Sequence, residues 1–76
     1  MIELIPVSGS TISRIGYDRK EKTLAVEFKP KGTLYLYEDV PFEVYVNMLK
    51  AESASKFLKS NIEGKYKYRK ADDNNN

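Results

Sequence analysis

No cysteine and no histidine occur among the 76 residues of this chain, so whatever it folds into must be held by packing, within the chain or against another copy or a partner. A chain of this length makes one domain, and such a domain buries only about 60% of the surface its unfolded form exposes. Domains near this size commonly lean on disulfides or a bound metal, and the residues for both are missing. The same two absences remove chemistry. Zinc sites built from cysteine or from cysteine and histidine are excluded, as is a serine or cysteine nucleophile activated by histidine. No remaining side chain titrates near neutral pH without a large environmental shift. The composition therefore points to a binding module, not an enzyme, with no catalytic residue, no metal ligand set and no cofactor.

The absence of cysteine fits a reducing compartment. Met1 to Pro6 has neither a basic stretch nor a long apolar run, so it does not read as a signal peptide. No segment approaches the ~20 apolar residues needed to cross a bilayer. The expectation is a cytoplasmic protein without membrane contact. Net charge is only +2, but the distribution is uneven. Between Lys50 and Lys70 the cations are Lys50, Lys56, Lys59, Lys65, Lys67, Arg69 and Lys70, against Glu52 and Glu63. Such a run could form a basic face.

Periodicity supplies the architecture. Met1 to Gly9 reads as a short edge strand or extended arm. Ile12 to Asp18 reads as a strand, with Ile15 and Tyr17 facing opposite to Arg14 and Gly16. Five polar residues, Asp18 to Lys22, suit a hairpin loop. In Thr23 to Phe28, Leu24, Val26 and Phe28 alternate with Ala25 and Glu27, which predicts one buried face. Pro30 to Gly32 supplies a turn, since proline presets φ and glycine permits a positive one. Thr33 to Tyr37 predicts a strand apolar on both faces, Leu34 and Leu36 against Tyr35 and Tyr37. Such a strand is either covered twice or offers one face to a partner.

The period then switches. Asp39 is the expected cap and Pro41 the expected first-turn residue of a helix. Phe42, Tyr45, Val46 and Leu49 follow helical spacing, with Val44, Met48 and Ala51 widening the stripe. Ser53 or Ser55 caps a second helix reaching about Ile62, with Phe57, Leu58 and Ile62 as its core residues and Gly64 ending it. Lys65 to Tyr68 alternates and reads as an extended strand or arm. The expected fold is α+β: a three-stranded antiparallel β-meander, with a fourth strand left open, followed by two short α-helices. Residues 1–70 make the single domain, and 71–76 a disordered tail.

An ordered series of residues carries a resemblance. Ile15-Gly16-Tyr17-Asp18, Leu24-Ala25-Val26-Glu27-Phe28, Gly32 with Tyr35-Leu36-Tyr37, Val40-Pro41 with Val44-Tyr45, Ala51 and Ser53, then Phe57, Ile62 and Tyr66 together resemble the KTSC domain. That family is named for its place at the C-terminus of some lysyl-tRNA synthetases, and it also occurs as stand-alone bacterial and phage proteins. The resemblance spans roughly Ser8 to Tyr68. It implies a compact α+β domain and a role in binding RNA. The chain departs from the family pattern at Ser55 (usually Gly), Lys59 (Asn), Glu63 (Arg) and Lys67 (Pro). Glu63 in place of arginine weakens the transfer of a phosphate contact to that position.

Two groups of residues are candidates for such binding. Tyr35 and Tyr37 share one face of a strand, a spacing that can stack bases; tyrosine is also an ordinary strand residue that a helix can cover. Lys56, Lys59, Lys65, Lys67 and Arg69 lie in the basic run, interleaved with Phe57, Tyr66 and Tyr68. They could bind phosphates through counterion release, or simply keep a small domain soluble. Ser53-Ala54-Ser55-Lys56 matches the Ser-x-x-Lys nucleophile motif, but the companion motifs are missing and helix capping explains the same letters. The expected function is thus a nucleic-acid (RNA) binding module. The alternative is a protein–protein interaction module that docks on a protein partner through Tyr35, Tyr37 or an open sheet edge.

Overall fold

The computed structural model describes residues 2–71. It is an α+β fold with one antiparallel sheet and two helices. The elements run β1 (Ile5–Pro6), β2 (Ile12–Asp18), β3 (Thr23–Phe28), β4 (Thr33–Tyr37), α1 (Phe42–Lys50), α2 (Ala54–Asn61) and β5 (Tyr68–Lys70). The sheet has five strands in the order β1-β2-β3-β4-β5, which corrects the expected three or four. The extra strands are the short edges. β5 returns after both helices and pairs with β4, aligning Tyr35 with Lys70, Leu36 with Arg69 and Tyr37 with Tyr68. It occupies Tyr68–Lys70, beyond the Lys65–Tyr68 segment that alternation suggested. Ala71 still donates its N–H to the Leu34 carbonyl at 2.7 Å. Residues 72–76 of the expected tail lie outside the described residues.

Register sorts the side chains into two faces. Tyr17, Leu24, Tyr37 and Tyr68 form one cross-strand row, and Ile15, Val26, Tyr35 and Lys70 form the next. This face takes the helices. A register shift between Ile12 and Arg14 breaks the alternation, so that Ile12 and Ile15 are both fully buried. They join Leu24, Val26, Val40, Met48, Leu58 and Ile62 in one core. The opposite face carries Gly16, Ala25, Leu36 and Arg69 in a row. The N-terminal arm crosses it closely enough that a Cβ on Gly16 would collide with the Glu3 carbonyl and lie 2.6 Å from the Ile2 side chain. Ala25 is consequently buried although it points away from the helices. Of the two apolar faces foreseen for β4, the one carrying Tyr37 joins the core, while Leu34 and Leu36 on the other are half-buried.

The turns follow their chemistry. Asp18 accepts from the backbone N–H groups of Lys20 and Glu21 at 3.0 and 3.2 Å, closing the first loop. Gly32 takes φ +78° in the second. The helix starts differ from expectation in one case. Ser53 caps α2, its hydroxyl accepting from the Lys56 N–H at 3.2 Å. Asp39 does not cap α1; it sits at φ +56°, and the cap position is Pro41 with no side-chain bond. The stripe of α1 is also rotated from the expected one. Tyr45 and Met48 are buried, whereas Phe42 and Leu49 are each 38% exposed. Ser55, inside α2, is buried and its hydroxyl accepts from both the N–H and the hydroxyl of Thr11, at 3.0 and 3.1 Å. That joins the entry to β2 to the second helix.

On the sheet surface, Arg14 forks onto Glu27 with two bonds of 2.7 Å. Ser13 adds a third at 2.8 Å. These hydrogen bonds, Arg14 first and Ser13 second, hold the Glu27 carboxyl down at about 2. A folded pKa below the unfolded one means stability that is present above about pH 4.5 and lost as pH falls toward 2. Thermal melts of wild type and Glu27→Gln between pH 7 and pH 2 are expected to show the variant less stable at neutral pH and the gap closing across that window. A gap that stays constant with pH would refute the linkage. Met48→Ala, which empties a fully buried position, is expected to cost ~2–5 kcal/mol in urea unfolding. In a domain this small that is a large part of its total stability.

Candidate nucleic-acid interface

The two tyrosines singled out by spacing do share a face, but it is the helix-covered one. Tyr37 is buried at 4% exposure, and Tyr35 is half-buried. Neither presents a bare ring as a platform. Burial pushes the Tyr37 hydroxyl up to about 12, helped by the Glu63 carboxylate and then by Tyr68 and Tyr35. It is therefore a neutral phenol at any physiological pH.

What covers them is Tyr68, delivered by β5. Its ring stacks on Tyr35 at 5.3 Å with planes 12° apart, and lies against Tyr37 at 5.4 Å. Phe28 meets Tyr35 edge-on at 5.2 Å. Tyr68 itself is 59% exposed, so the open aromatic surface belongs to it. Beside these rings is a cleft of about 370 Å³, with Glu63 and Gly64 from the end of α2 on one side and Lys70 and Thr33 on its rim. Gly64 turns the chain there at φ +81°, a conformation that suits glycine.

The cations distribute less tidily than the sequence run suggests. Lys56, Lys59, Lys65, Lys67 and Arg69 are all exposed, and none of them lines the aromatic cleft. Lys56 borders a separate shallow groove with Glu52, Ser53 and Phe57. Lys59 lies in the last turn of α2. Lys67 meets the end of β4 through its carbonyl, which accepts from the Glu38 N–H at 2.8 Å. Arg69 points to the opposite sheet face from Tyr68 by strand alternation and approaches Glu38 at 3.7 Å, an exposed pair of little energetic weight. The cation at the cleft is instead Lys70. The sequence reading named Tyr68 and Lys70 only as members of the basic run and placed neither beside Tyr35 and Tyr37, and it did not foresee Glu63 on the cleft wall. The signal was register: had the last segment been paired with β4, Tyr68 and Lys70 would have fallen beside Tyr37 and Tyr35.

A second aromatic group lies on the other side of β3. Tyr17 stacks on Tyr45 at 5.3 Å, Phe42 joins at 5.5 Å, and the Arg19 guanidinium covers the Phe42 ring at 4.2 Å. The Tyr17 hydroxyl donates to the Val40 carbonyl. No cluster of carboxylates that could hold a metal occurs among the described residues, and no helix there is long and apolar enough to cross a membrane.

Comparison with known proteins places this arrangement. A protein from Tsukamurella paurometabola is 39% identical over 62 residues, covering 82% of this chain and 91% of that one. An uncharacterized protein from Stutzerimonas stutzeri is 41% identical over 49 residues, covering 64% of this chain and 68% of its own. The crystal structure of a KTSC domain protein from Yersinia pestis superposes with a TM-score of 0.88 at 35% identity, over 95% of this chain and all of the other. The family model of the KTSC domain matches residues 8–66. That match covers most of the chain, and the solved structure shares its whole architecture: the chain belongs to the KTSC domain family.

Proposed function

We propose that the protein is a non-catalytic cytoplasmic module that binds single-stranded nucleic acid, RNA in the first instance, along β5 and the aromatic cleft. One observation carries this reading. Tyr68 presents a 59% exposed ring on an edge strand whose other residues, Arg69 and Lys70, are exposed cations, with exposed Lys65 and Lys67 just before them. Stacking on a tyrosine contributes ~1–3 kcal/mol per base and is tolerant of sequence. Nearby cations attract the backbone without reading it. The exposed ring lies on an edge strand, and the unpaired bases of a single strand are free to stack on it whereas those of a duplex are not, so single strands suit the surface better than duplex.

The rival reading, a protein partner, draws on the same strand. β5 is last in the sheet order, so among the described residues its outer edge is unpaired and suits an added strand. The two readings part at Tyr68 and at salt.

Anisotropy titration of a labelled single-stranded RNA is expected to give roughly micromolar affinity at low salt, with a log–log salt slope of about −2 to −3 if three or four cations act. Tyr68→Ala is expected to weaken binding by ~1–3 kcal/mol, and Lys59→Ala, on α2 and absent from the cleft lining, to weaken it less than Tyr68→Ala. Absence of binding at low salt would sink the reading and leave the open edge, and a protein partner, as the surface to pursue.

A further inference from the structure

We propose that the cleft selects guanine among the bases of a bound single strand, with the Glu63 carboxylate as the reading group. This rests on the nucleic-acid reading and deepens it. A volume of about 370 Å³ falls at the small end of ligand sites, which run from ~300 to 1,000 Å³, and suits one base with part of its backbone. Tyr35 and Tyr68 are already stacked at 5.3 Å, so a base cannot slip between them. It must lie against Tyr68 from the open side, with its edge turned toward whatever polar groups line the cleft.

Those groups are unequal. Glu63 is an exposed carboxylate, and an ionised carboxylate only accepts hydrogen bonds, through two oxygens. Guanine offers it two adjacent donors on one edge, the ring N–H and the exocyclic amine. Adenine and cytosine offer a single amine beside an acceptor, and uracil a single N–H between two carbonyl oxygens that repel the carboxylate. Lys70, also on the cleft wall, is a compact point charge of the kind that holds a phosphate. Charge of opposite sign on Glu63 and Lys70 matches the polarity of a nucleotide, donor edge on one side and phosphate on the other.

Tyr37 adds an independent indication. It lines the cleft and is 4% exposed, yet its hydroxyl has no hydrogen-bond partner among the described residues. Buried tyrosine hydroxyls normally find one. Glu63 and Tyr37 line the same cleft, so a base bound there has both groups on its walls.

The test uses the full chain and four labelled strands of oligouridine, three carrying a single central guanine, adenine or cytosine, with the free nucleoside monophosphates as competitors. The guanine strand is expected to bind roughly tenfold tighter than the all-uridine strand, the discrimination of one good bidentate base contact. GMP is expected to compete best. Glu63→Gln, at an exposed position, is expected to bring the guanine strand and the all-uridine strand to the same affinity. Equal affinity for all four strands, or a guanine preference that survives Glu63→Gln, would overturn guanine selection and leave nucleic-acid binding standing. Failure to bind any strand would overturn both.

Discussion

The ladder between β4 and β5 is the interaction on which the candidate site depends. It is short, three register pairs from Tyr35–Lys70 to Tyr37–Tyr68, extended at its ends by Glu38 N–H to Lys67 carbonyl and Ala71 N–H to Leu34 carbonyl. Side chains in a strand alternate, so a slip of one residue would carry Tyr68 to the opposite face and bring Arg69 to the face that carries Tyr35 and Tyr37. The pairing is defended against that slip by the rings themselves. Tyr68 contacts both Tyr35 and Tyr37, and an aromatic stack of this kind adds ~0.5–1.5 kcal/mol beyond area burial. The same contact that holds the edge strand in register builds the wall of the cleft, so site and fold share their weakest element.

How much of this was legible follows from which forces act locally. β2, β3 and β4 have the bounds that alternation and turn residues suggested, because each carries its own apolar face and its own turn chemistry at Asp18 and Gly32. β5 was not legible in the same way. All three of its residues are exposed, so no apolar period marks it; the free edge of β4 recruits it, and that is a tertiary fact. In α1 the period was right and the phase was off. Phe42 and Leu49 fit the spacing, but the bundle of side chains beneath the helix accepts Tyr45 and Met48, and Arg19 lies over the exposed Phe42 ring. Asp39 has the letter of a cap, yet its left-handed backbone serves the corner between β4 and α1, where Val40 is pulled into the core and bonds back to Lys22.

The site was half legible for the same reason. Two tyrosines at i and i+2 must share a face, and they do, but nothing local says whether that face is core or surface. Burial of Tyr37 decides it, since a residue 4% exposed cannot offer its ring to a base. The cationic run misled in a different way. Lys56 and Lys59 ride on α2, whereas Lys65, Lys67 and Arg69 surround β5, so a sequence-contiguous run becomes two separate groups once the chain turns at Gly64. Lys70, the last cation of that run, is the one that alternation turns toward the aromatic cleft.

The two aromatic groups on the helix-covered face show why only one of them is a candidate site. They flank Leu24 in a single cross-strand row, Tyr17 on one side and Tyr37 on the other. Around Tyr17 the polar accounting closes: its hydroxyl has the Val40 carbonyl, its ring has Tyr45 and Phe42, and Arg19 covers the outermost ring. A ligand would have to break those contacts to enter. Around Tyr37 the accounting stays open. A cleft remains between β5 and the end of α2, an exposed carboxylate and an ammonium stand on its walls, and a buried hydroxyl lacks a partner among the described residues. A ligand could reach these groups without breaking a contact that holds the fold, which singles out the Tyr37 side as the candidate site.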